Sequence, residues 1–171
     1  TAISGYLFAG TDEYTYSSTN NGANWVQMSV GQYYPYNTRS IVVKNSQVFA
    51  GDFGDGVAVS FLGGTSWTWV NNGLNSFYIY QLSLNNDRLF AATRAGISST
   101  TNNGSNWVSL NPLLTSTYVY SLVTLNSNVF IGTQQNVYYS SNNGADWTTI
   151  TTGLPGSSPN IYALEYNSTY L

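Results

Sequence analysis

The chain has 171 residues, a formal net charge of −3, seven acidic and four basic residues, and neither cysteine nor histidine. Four basic residues are too few for the several phosphate contacts that nucleic-acid binding needs, and the missing Cys and His exclude thiol chemistry, disulfides and Cys/His zinc sites. Charged residues make up only 6% of the chain, against about 25% in a typical domain, so we expect a surface of Asn, Ser, Thr, Gln and Tyr, as in secreted or cell-surface proteins.

Strand signals recur along the whole chain, and no stretch of ten residues or more shows helical periodicity. One apolar run starts at Leu7, Val48, Leu89 and Val129, so that the repeats are 41, 41 and 40 residues apart. An alternating run precedes it at residues 40–43, 79–84, 119–123 and 161–166. The pattern therefore predicts four short antiparallel strands in each repeat. We name them A to D, with the alternating run as A and the apolar run as B. No apolar run has the length of a transmembrane helix, and no membrane insertion is expected.

An eight-residue block lies between strands C and D of every repeat, at residues 18–25, 60–67, 100–107 and 140–147. Asn at its third position can accept backbone N–H groups of a turn, and Gly at its fifth position permits a positive φ. Trp at its end is expected to pack between neighbouring repeats. The residues of this structural turn motif are Ser18, Asn20, Gly22, Trp25, Ser60, Gly64, Trp67, Thr100, Asn102, Gly104, Trp107, Ser140, Asn142, Gly144 and Trp147.

The block resembles the Asp-box, or BNR, repeat, whose pattern is Ser-x-Asp-x-Gly-x-x-Trp. All four repeats match its Ser/Thr, Gly and Trp positions, but Asn20, Asn102 and Asn142 stand in place of the Asp. Leu62 stands there in the second repeat, where we expect the capping of the turn to fail. The family includes sialidases, sortilin-type receptors, xyloglucanases, a photosystem assembly factor and many secreted bacterial surface proteins, and the chain is most like the non-catalytic bacterial members. In this family the motif is a structural turn, remote from the catalytic centre.

The resemblance covers essentially the whole chain and implies an all-β fold, a β-propeller of four-stranded antiparallel blades with four repeats in a single region, residues 1–171. The segment 168–171 aligns with residues 4–7, so the chain is expected to open at strand B and to end with a strand A at residues 161–166. That strand could complete the first blade, the chains could join into an eight-bladed ring or head to tail, or the chain could be a segment of a longer protein. An assembly or a segment is favoured, because unpaired strand edges associate.

Up-and-down connectivity places the B–C and D–A loops on one face, where we expect function because loops on a rigid scaffold carry it. Exposed tyrosine rings beside amide and carboxylate groups suit sugars, which stack their C–H faces and bond through hydroxyls. The alternative is that these rings pack between blades, as predicted for Tyr80, Tyr120 and Tyr162 in the core. The candidate ligand-binding residues are Tyr33, Tyr34, Tyr36, Phe77, Tyr78, Tyr118, Asp52, Asp55 and Arg94.

No catalytic residue is assigned. A sialidase-type site needs three convergent arginines, and of Arg39, Arg88 and Arg94 the second is placed on the opposite face. A pair of carboxylates from Asp12 or Glu13 and Asp52 or Asp55 would suit a glycosidase, although solvated loop acids are the favoured interpretation. Calcium could bind Asp52 and Asp55, but the ligand set is incomplete, so neither a metal nor a cofactor is expected.

These observations predict a non-catalytic extracellular or cell-surface module for adhesion or recognition, with a carbohydrate or a surface glycoprotein as its partner. One alternative is a structural subunit that self-assembles through its blade edges into a ring or filament. A second alternative is a fragment of a glycoside hydrolase.

Overall fold

The computed structural model describes residues 2–3, 5–28, 37–63, 66–110, 114, 117–150, 152–154 and 159–165, which contain strands and turns and no α-helix. The strands are β1 (Ala2–Ile3), β2 (Tyr6–Gly10), β3 (Thr15–Ser18), β4 (Val26–Met28), β5 (Thr38–Lys44), β6 (Gln47–Asp52), β7 (Gly56–Phe61), β8 (Thr68–Trp69), β9 (Ile79–Asn85), β10 (Arg88–Thr93), β11 (Gly96–Thr100), β12 (Val108–Ser109), β13 (Val119–Leu125), β14 (Asn128–Thr133), β15 (Val137–Ser140) and β16 (Thr148–Ile150).

These strands form four antiparallel sheets of four strands, and each sheet uses strands that are consecutive in sequence. The orders are β1-β2-β3-β4, β5-β6-β7-β8, β9-β10-β11-β12 and β13-β14-β15-β16, and we number these blades 1 to 4. In blade 3, Phe90 of strand B pairs with Ser83 of strand A and with Ser99 of strand C. The predicted all-β fold of repeated four-stranded units is confirmed.

Two expectations about the ends of the repeat array differ from the structure. The prediction that the chain opens at strand B is wrong, because Ala2–Ile3 forms a short strand A that pairs with Leu7 and Tyr6. Of the strand predicted at 161–166, residues 161–165 belong to no β-ladder, and residue 166 lies outside the described residues. Single hydrogen bonds hold this segment beside blade 4: Ile161 N donates to Thr133 O at 2.8 Å, and Ser121 Oγ donates to Ile161 O at 3.0 Å.

The hydrophobic core lies between blades. One cluster joins Met28 of blade 1 to Trp67 of blade 2, and a second joins Phe49 of blade 2 to Ile79 of blade 3. The third joins Phe90 of blade 3 to the apolar residues of blade 4. Because a single sheet of four strands cannot bury both its faces alone, each blade gains its stability from the next one.

The motif tryptophans of blades 2, 3 and 4 pack against the preceding blade, as the sequence predicts, whereas Trp25 of blade 1 is 44% exposed. The indole Nε1 of Trp107 donates to the carbonyl of Val70 in blade 2 at 2.6 Å. Gly104 lies so close to that blade that a Cβ there would come 2.7 Å from Val70 Cγ2. A Cβ on Gly144 would likewise lie 2.6 Å from Leu110 Cδ1 of blade 3 and 3.3 Å from the Trp147 ring.

The C–D turns have one hydrogen-bond pattern in blades 1, 3 and 4. In blade 4, Ser140 Oγ donates to Asn142 Oδ1 at 2.9 Å and accepts from Gly144 N at 2.8 Å, while Asp146 N donates to Asn142 Oδ1 at 2.9 Å. Asn143 and Gly144 between them have φ of 57° and 86°, the positive values of a type I′ turn. The amide oxygen of Asn therefore fills the capping role that the sequence assigns to it.

The second repeat departs from this pattern, as expected from Leu62. Its Ser60 hydroxyl donates to Ser66 O at 2.8 Å, and Leu62 packs against the cluster around Met28 and Trp67. Gly64 lies outside the described residues. Leu62 thus replaces a hydrogen-bonded cap with an apolar contact.

The B–C turn of blade 2 is organised by a buried carboxylate. Asp52 is only 1% exposed; its Oδ2 accepts from Asn37 N at 3.1 Å and its Oδ1 from Asp55 N at 3.0 Å. Burial raises the pKa of Asp52 above its ordinary value of 3.8, although the two backbone donors act in the opposite direction. Asp52 is therefore a structural group of this turn.

We expect Ser140→Ala to lower the free energy of unfolding by about 1–3 kcal/mol, because it leaves the buried N–H of Gly144 without an acceptor. Urea denaturation measures the loss. The matched control is Ser141→Ala at the exposed neighbouring position, which should change stability by less than about 0.5 kcal/mol. Equal stability of the two variants would contradict this account of the turn.

We also expect the difference in unfolding free energy between the wild type and Asp52→Asn to depend on pH. Since the folded-state pKa of Asp52 is raised, the folded chain binds the proton more tightly than the unfolded chain. The wild type should gain stability relative to the variant as pH falls through the raised pKa, and the gain should level off below 3.8. Urea denaturation across this window tests the sign, which a relative loss of wild-type stability in acid would contradict.

Candidate functional site

The A strands of neighbouring blades lie side by side and form the inner surface of the array. Strand β9 packs against both β5 and β13. Polar side chains link these strands from one blade to the next: Ser40 Oγ accepts from Leu82 N at 2.9 Å, and Gln81 Oε1 accepts from Leu122 N at 2.8 Å. The inner surface is thus a row of equivalent strands held at fixed spacing.

A β-bulge lies at the second residue of β5, β9 and β13. The register of the A–B ladder shifts between Thr38 and Ser40, between Ile79 and Gln81, and between Val119 and Ser121. The residues skipped by the ladder are Arg39, Tyr80 and Tyr120. Because a bulge re-aims the side chain of its extra residue, these three side chains, together with Tyr162, line one open cavity of about 350 Å³.

Aromatic rings form a continuous series along this cavity. The Tyr80 ring centroid lies 5.2 Å from that of Phe53 and 4.9 Å from that of Tyr120, and Tyr120 lies 5.0 Å from Tyr162. Tyr80 and Tyr120 are half-buried, whereas Tyr162 is 68% exposed. The prediction that Tyr80, Tyr120 and Tyr162 belong to the core is wrong, because bulges turn Tyr80 and Tyr120 towards the cavity and Tyr162 lies exposed beside them.

Two guanidinium groups lie on the same aromatic surface. Arg39 Cζ is 3.8 Å from the centroid of the Phe53 ring. Arg94 Nε donates to Tyr118 Oη at 2.9 Å, and its Cζ lies 5.1 Å from the Tyr78 ring. Cation–π contacts of this kind fix the position of an arginine while leaving its outer N–H groups free to bond. We call Arg39, Phe53, Tyr78, Tyr80, Arg94, Tyr118, Tyr120 and Tyr162 the inner aromatic surface.

Ionisation on this surface follows from burial and from the neighbouring charges. Burial raises the pKa of Tyr80, and the nearby Tyr120 adds to the shift, while Arg39 and Arg94 oppose it. The hydrogen bond to Tyr118 is the main cause that raises the pKa of Arg94. At neutral pH Tyr80 is therefore a neutral phenol and Arg94 a cation.

The structure brings together three of the residues that the sequence predicts for ligand binding, namely Tyr78, Tyr118 and Arg94. Phe77 is 49% exposed on the adjoining loop, where its carbonyl accepts from Gly54 N and Gly56 N. Tyr33, Tyr34 and Tyr36 lie outside the described residues.

The two predicted acidic residues are not part of the inner aromatic surface. Asp52 is buried in the B–C turn, and Asp55 is exposed in that same turn. The described part of the chain contains no group of three or more acidic residues that could hold a metal ion. The four residues that line the cavity include no carboxylate.

Phe53, Tyr80, Tyr120 and Tyr162 belong to this surface although the sequence did not assign them to it. A periodic signal was present, since Tyr80, Tyr120 and Tyr162 share the second position of the predicted strand A, and all three line the same cavity. The direction in which the side chains of Tyr80 and Tyr120 point depends on the bulge, and no residue pattern in the strand indicates a bulge.

Comparison with known proteins bears on the fold. No family model matches the chain, and no curated protein matches it. The extracellular domain of the one component system BT4673 from B. thetaiotaomicron is similar over 87% of this chain and 21% of that one, with 20% identity and a TM-score of 0.71. An ancestral GH74 enzyme is similar over 90% of this chain and 24% of the other, with 23% identity and a TM-score of 0.70. The structure of YCF48 bound to D1 peptide is similar over 91% and 53%, with 19% identity and a TM-score of 0.63.

The chain thus spans between about a fifth and about a half of the solved chains it matches. No helix in the described residues is long and apolar enough to cross a membrane. Because the identities are only 19–23%, these structural similarities establish the architecture and nothing further. Together with the four antiparallel sheets, they show that the chain forms four blades of a β-propeller.

Proposed function

We propose that the chain is a non-catalytic recognition module whose inner aromatic surface binds the carbohydrate of a polysaccharide or glycoprotein. The observation that carries the proposal is the open cavity of about 350 Å³ lined by Arg39, Tyr80, Tyr120 and Tyr162. Its volume falls within the usual range for small-molecule sites, about 300–1,000 Å³. Phenol rings offer faces for the C–H groups of sugars, and phenol hydroxyls and guanidinium N–H groups offer bonds to their oxygens.

The charge of the surface favours acidic sugars. Arg39 and Arg94 are both exposed and are held by aromatic rings, and no carboxylate lines the cavity to neutralise them. Guanidinium groups bind carboxylate and sulfate groups with paired, charge-assisted hydrogen bonds. We therefore expect carboxylated or sulfated glycans to bind more tightly than their neutral counterparts, by an amount that decreases at high ionic strength.

An extracellular or cell-surface location accompanies this proposal. Its support is the composition, in which 6% of the residues are charged and 16% are aromatic. The similarity to an extracellular domain agrees with that location. Asp-box character is likewise supported by the turn pattern of blades 1, 3 and 4, in which a hydroxyl and an Asn amide oxygen hold the turn.

A glycoside hydrolase fragment is the second candidate, and the similarity to a GH74 enzyme favours it. Glycoside hydrolysis requires two carboxyl groups on either side of the scissile bond, one of them as a general acid. The cavity has none, and Asp52, whose pKa is raised by burial, is committed to two backbone N–H groups. Binding without turnover is the better account of this surface.

We expect a glycan array to identify ligands and Tyr162→Ala to weaken binding of the strongest one about tenfold. An aromatic contact contributes about 0.5–1.5 kcal/mol beyond its buried area, and 1.4 kcal/mol corresponds to a tenfold change in Kd. Tyr162 is already 68% exposed, so its removal should leave the fold intact. Isothermal titration calorimetry measures the change.

The matched control is Phe61→Ala, which removes another ring that is 68% exposed at the opposite, C–D side of blade 2. It should bind the same glycan with unchanged affinity. A second variant, Arg39→Ala, should lose affinity for acidic glycans more than for neutral ones. An array without ligands, or equal binding by Tyr162→Ala and Phe61→Ala, would contradict the proposal.

We expect no release of chromophore from a broad panel of chromogenic glycosides at substrate concentrations that saturate typical hydrolases. Turnover that disappears in Asp55→Asn and persists in Asp146→Asn would instead establish the hydrolase alternative. Asp146 is a suitable comparison because it is also exposed and lies in a C–D turn.

A further inference from the structure

The B–C turn of blade 2 has an aspartate where the other three blades have a threonine. Asp52 stands at the end of strand B, and the equivalent residues are Thr11, Thr93 and Thr133. Each threonine hydroxyl accepts one or two backbone N–H groups of its own turn; Thr133 Oγ1, for example, accepts from Asn136 N at 3.2 Å. Asp52 Oδ1 does the same with Asp55 N at 3.0 Å. One acceptor atom therefore closes such a turn, and the second oxygen of Asp52 is additional.

This second oxygen bonds to the residue that precedes strand A. Asp52 Oδ2 accepts from Asn37 N at 3.1 Å. Asn37 makes two further bonds, because its carbonyl accepts from Phe53 N at 3.0 Å and its side-chain Oδ1 accepts from Arg39 Nε at 3.2 Å. Arg39 and Phe53 are the two members of a cation–π pair. Asn37 thus connects the buried carboxylate to both members of this pair.

Blade 3 forms the same kind of pair with its members exchanged. Arg94 follows strand B in blade 3, at the position that Phe53 has in blade 2. In strand A the exchange is reversed, with Tyr80 in place of Arg39. The Nε of Arg94 is also bonded, because it donates to Tyr118 Oη at 2.9 Å. Both arginines of the inner aromatic surface are therefore fixed at Nε by the oxygen of a neighbouring side chain.

We propose that Asp52 is a positioning residue which, through Asn37, fixes Arg39 over the Phe53 ring and thereby sets the preference of the inner aromatic surface for acidic glycans. The glycan preference rests on the proposed function, whereas the position of Arg39 is a property of the free chain. An exposed arginine loses rotamer freedom when a ligand immobilises it. Because Asn37 occupies only Nε, the two terminal NH₂ groups of Arg39 stay available to a carboxylate or sulfate group.

NMR spectroscopy of the free chain measures the position of Arg39. The chain has three arginines, Arg39, Arg88 and Arg94, so Arg39→Lys identifies the Nε–Hε signal that belongs to Arg39. Protons held over the face of an aromatic ring are shifted upfield, and we expect this shift in the wild type. Asp52→Thr introduces the residue of the other blades, so the turn still closes while Asn37 N loses its acceptor. The Arg39 signal should then move to the position of a free arginine side chain.

A second variant and a control make this measurement specific. Asn37→Ala keeps the backbone bond to Asp52 and removes the acceptor of Arg39 Nε, so it should also release the Arg39 signal. The matched control is Thr133→Ala, which removes the hydroxyl that closes the B–C turn of blade 4 and should leave the Arg39 signal in place. An Arg39 signal that stays in place in Asn37→Ala, or in a folded Asp52→Thr variant, would overturn the positioning role.

The same variants on an array of neutral, carboxylated and sulfated glycans test the consequence for binding. Asp52→Thr and Asn37→Ala should lower binding of acidic glycans by about three- to tenfold, and that of neutral glycans by less than about twofold, because a charge-assisted bond is weakened. Thr133→Ala should keep the acidic-to-neutral ratio of the wild type. In an Arg39→Ala background, Asp52→Thr should not change this ratio further, because the two residues act through one group.

The two measurements separate this inference from the proposed function. An array without ligands would overturn the glycan preference together with the proposed function, and the NMR signal would still decide whether Asp52 positions Arg39. Glycan binding with an unchanged acidic-to-neutral ratio in a folded Asp52→Thr variant would overturn the role of Asp52 and leave the proposed function intact.

Discussion

Packing of one blade against the next is the interaction on which the rest of this structure depends. Hydrogen bonds stabilise the strands inside each blade, but the buried side chains lie at the boundaries, where all three core clusters combine residues of two blades. A motif Trp lies at each of these boundaries, and at two of them a neighbouring glycine, Gly104 or Gly144, allows the preceding blade to approach closely. Stability is consequently a property of neighbouring pairs of blades rather than of single sheets.

The inner aromatic surface is a consequence of the same repetition. Bulges at one position of strand A give Arg39, Tyr80 and Tyr120 equivalent directions, and side-chain bonds such as that from Gln81 to Leu122 N hold successive strands in place. On the proposed function, side chains positioned in this way before the carbohydrate binds lower the entropy cost of binding. Three of the four basic side chains are held by contacts of this kind. Arg39 and Arg94 lie on aromatic rings, and Lys44 is buried with its Nζ bonded to Asp87 O and Asn103 Oδ1 at 2.8 Å each.

Much of the fold could be predicted from the sequence because period and alternation report directly on burial. The four strands of each repeat, the polar C–D turns, the failure of the cap at Leu62 and the packing role of Trp107 all follow from residue types at fixed spacing. The site could be predicted only in part, through Tyr78, Tyr118 and Arg94. Tyr80 looks like a core residue in an alternating run, and its true direction depends on a one-residue shift in pairing. Asp52 looks like a free loop acid, and its burial depends on the distant N–H of Asn37.

The Asn residues at the corners of blades 1, 3 and 4 have an effect on the behaviour of the chain in acid. An Asp in that position would accept the same backbone N–H groups and would have a lowered pKa. Its hydrogen bonds to the turn would weaken once the carboxylate became protonated. An amide oxygen accepts the same donors and does not titrate. The corner hydrogen bonds formed by Asn20, Asn102 and Asn142 therefore hold equally well in neutral and in acidic surroundings.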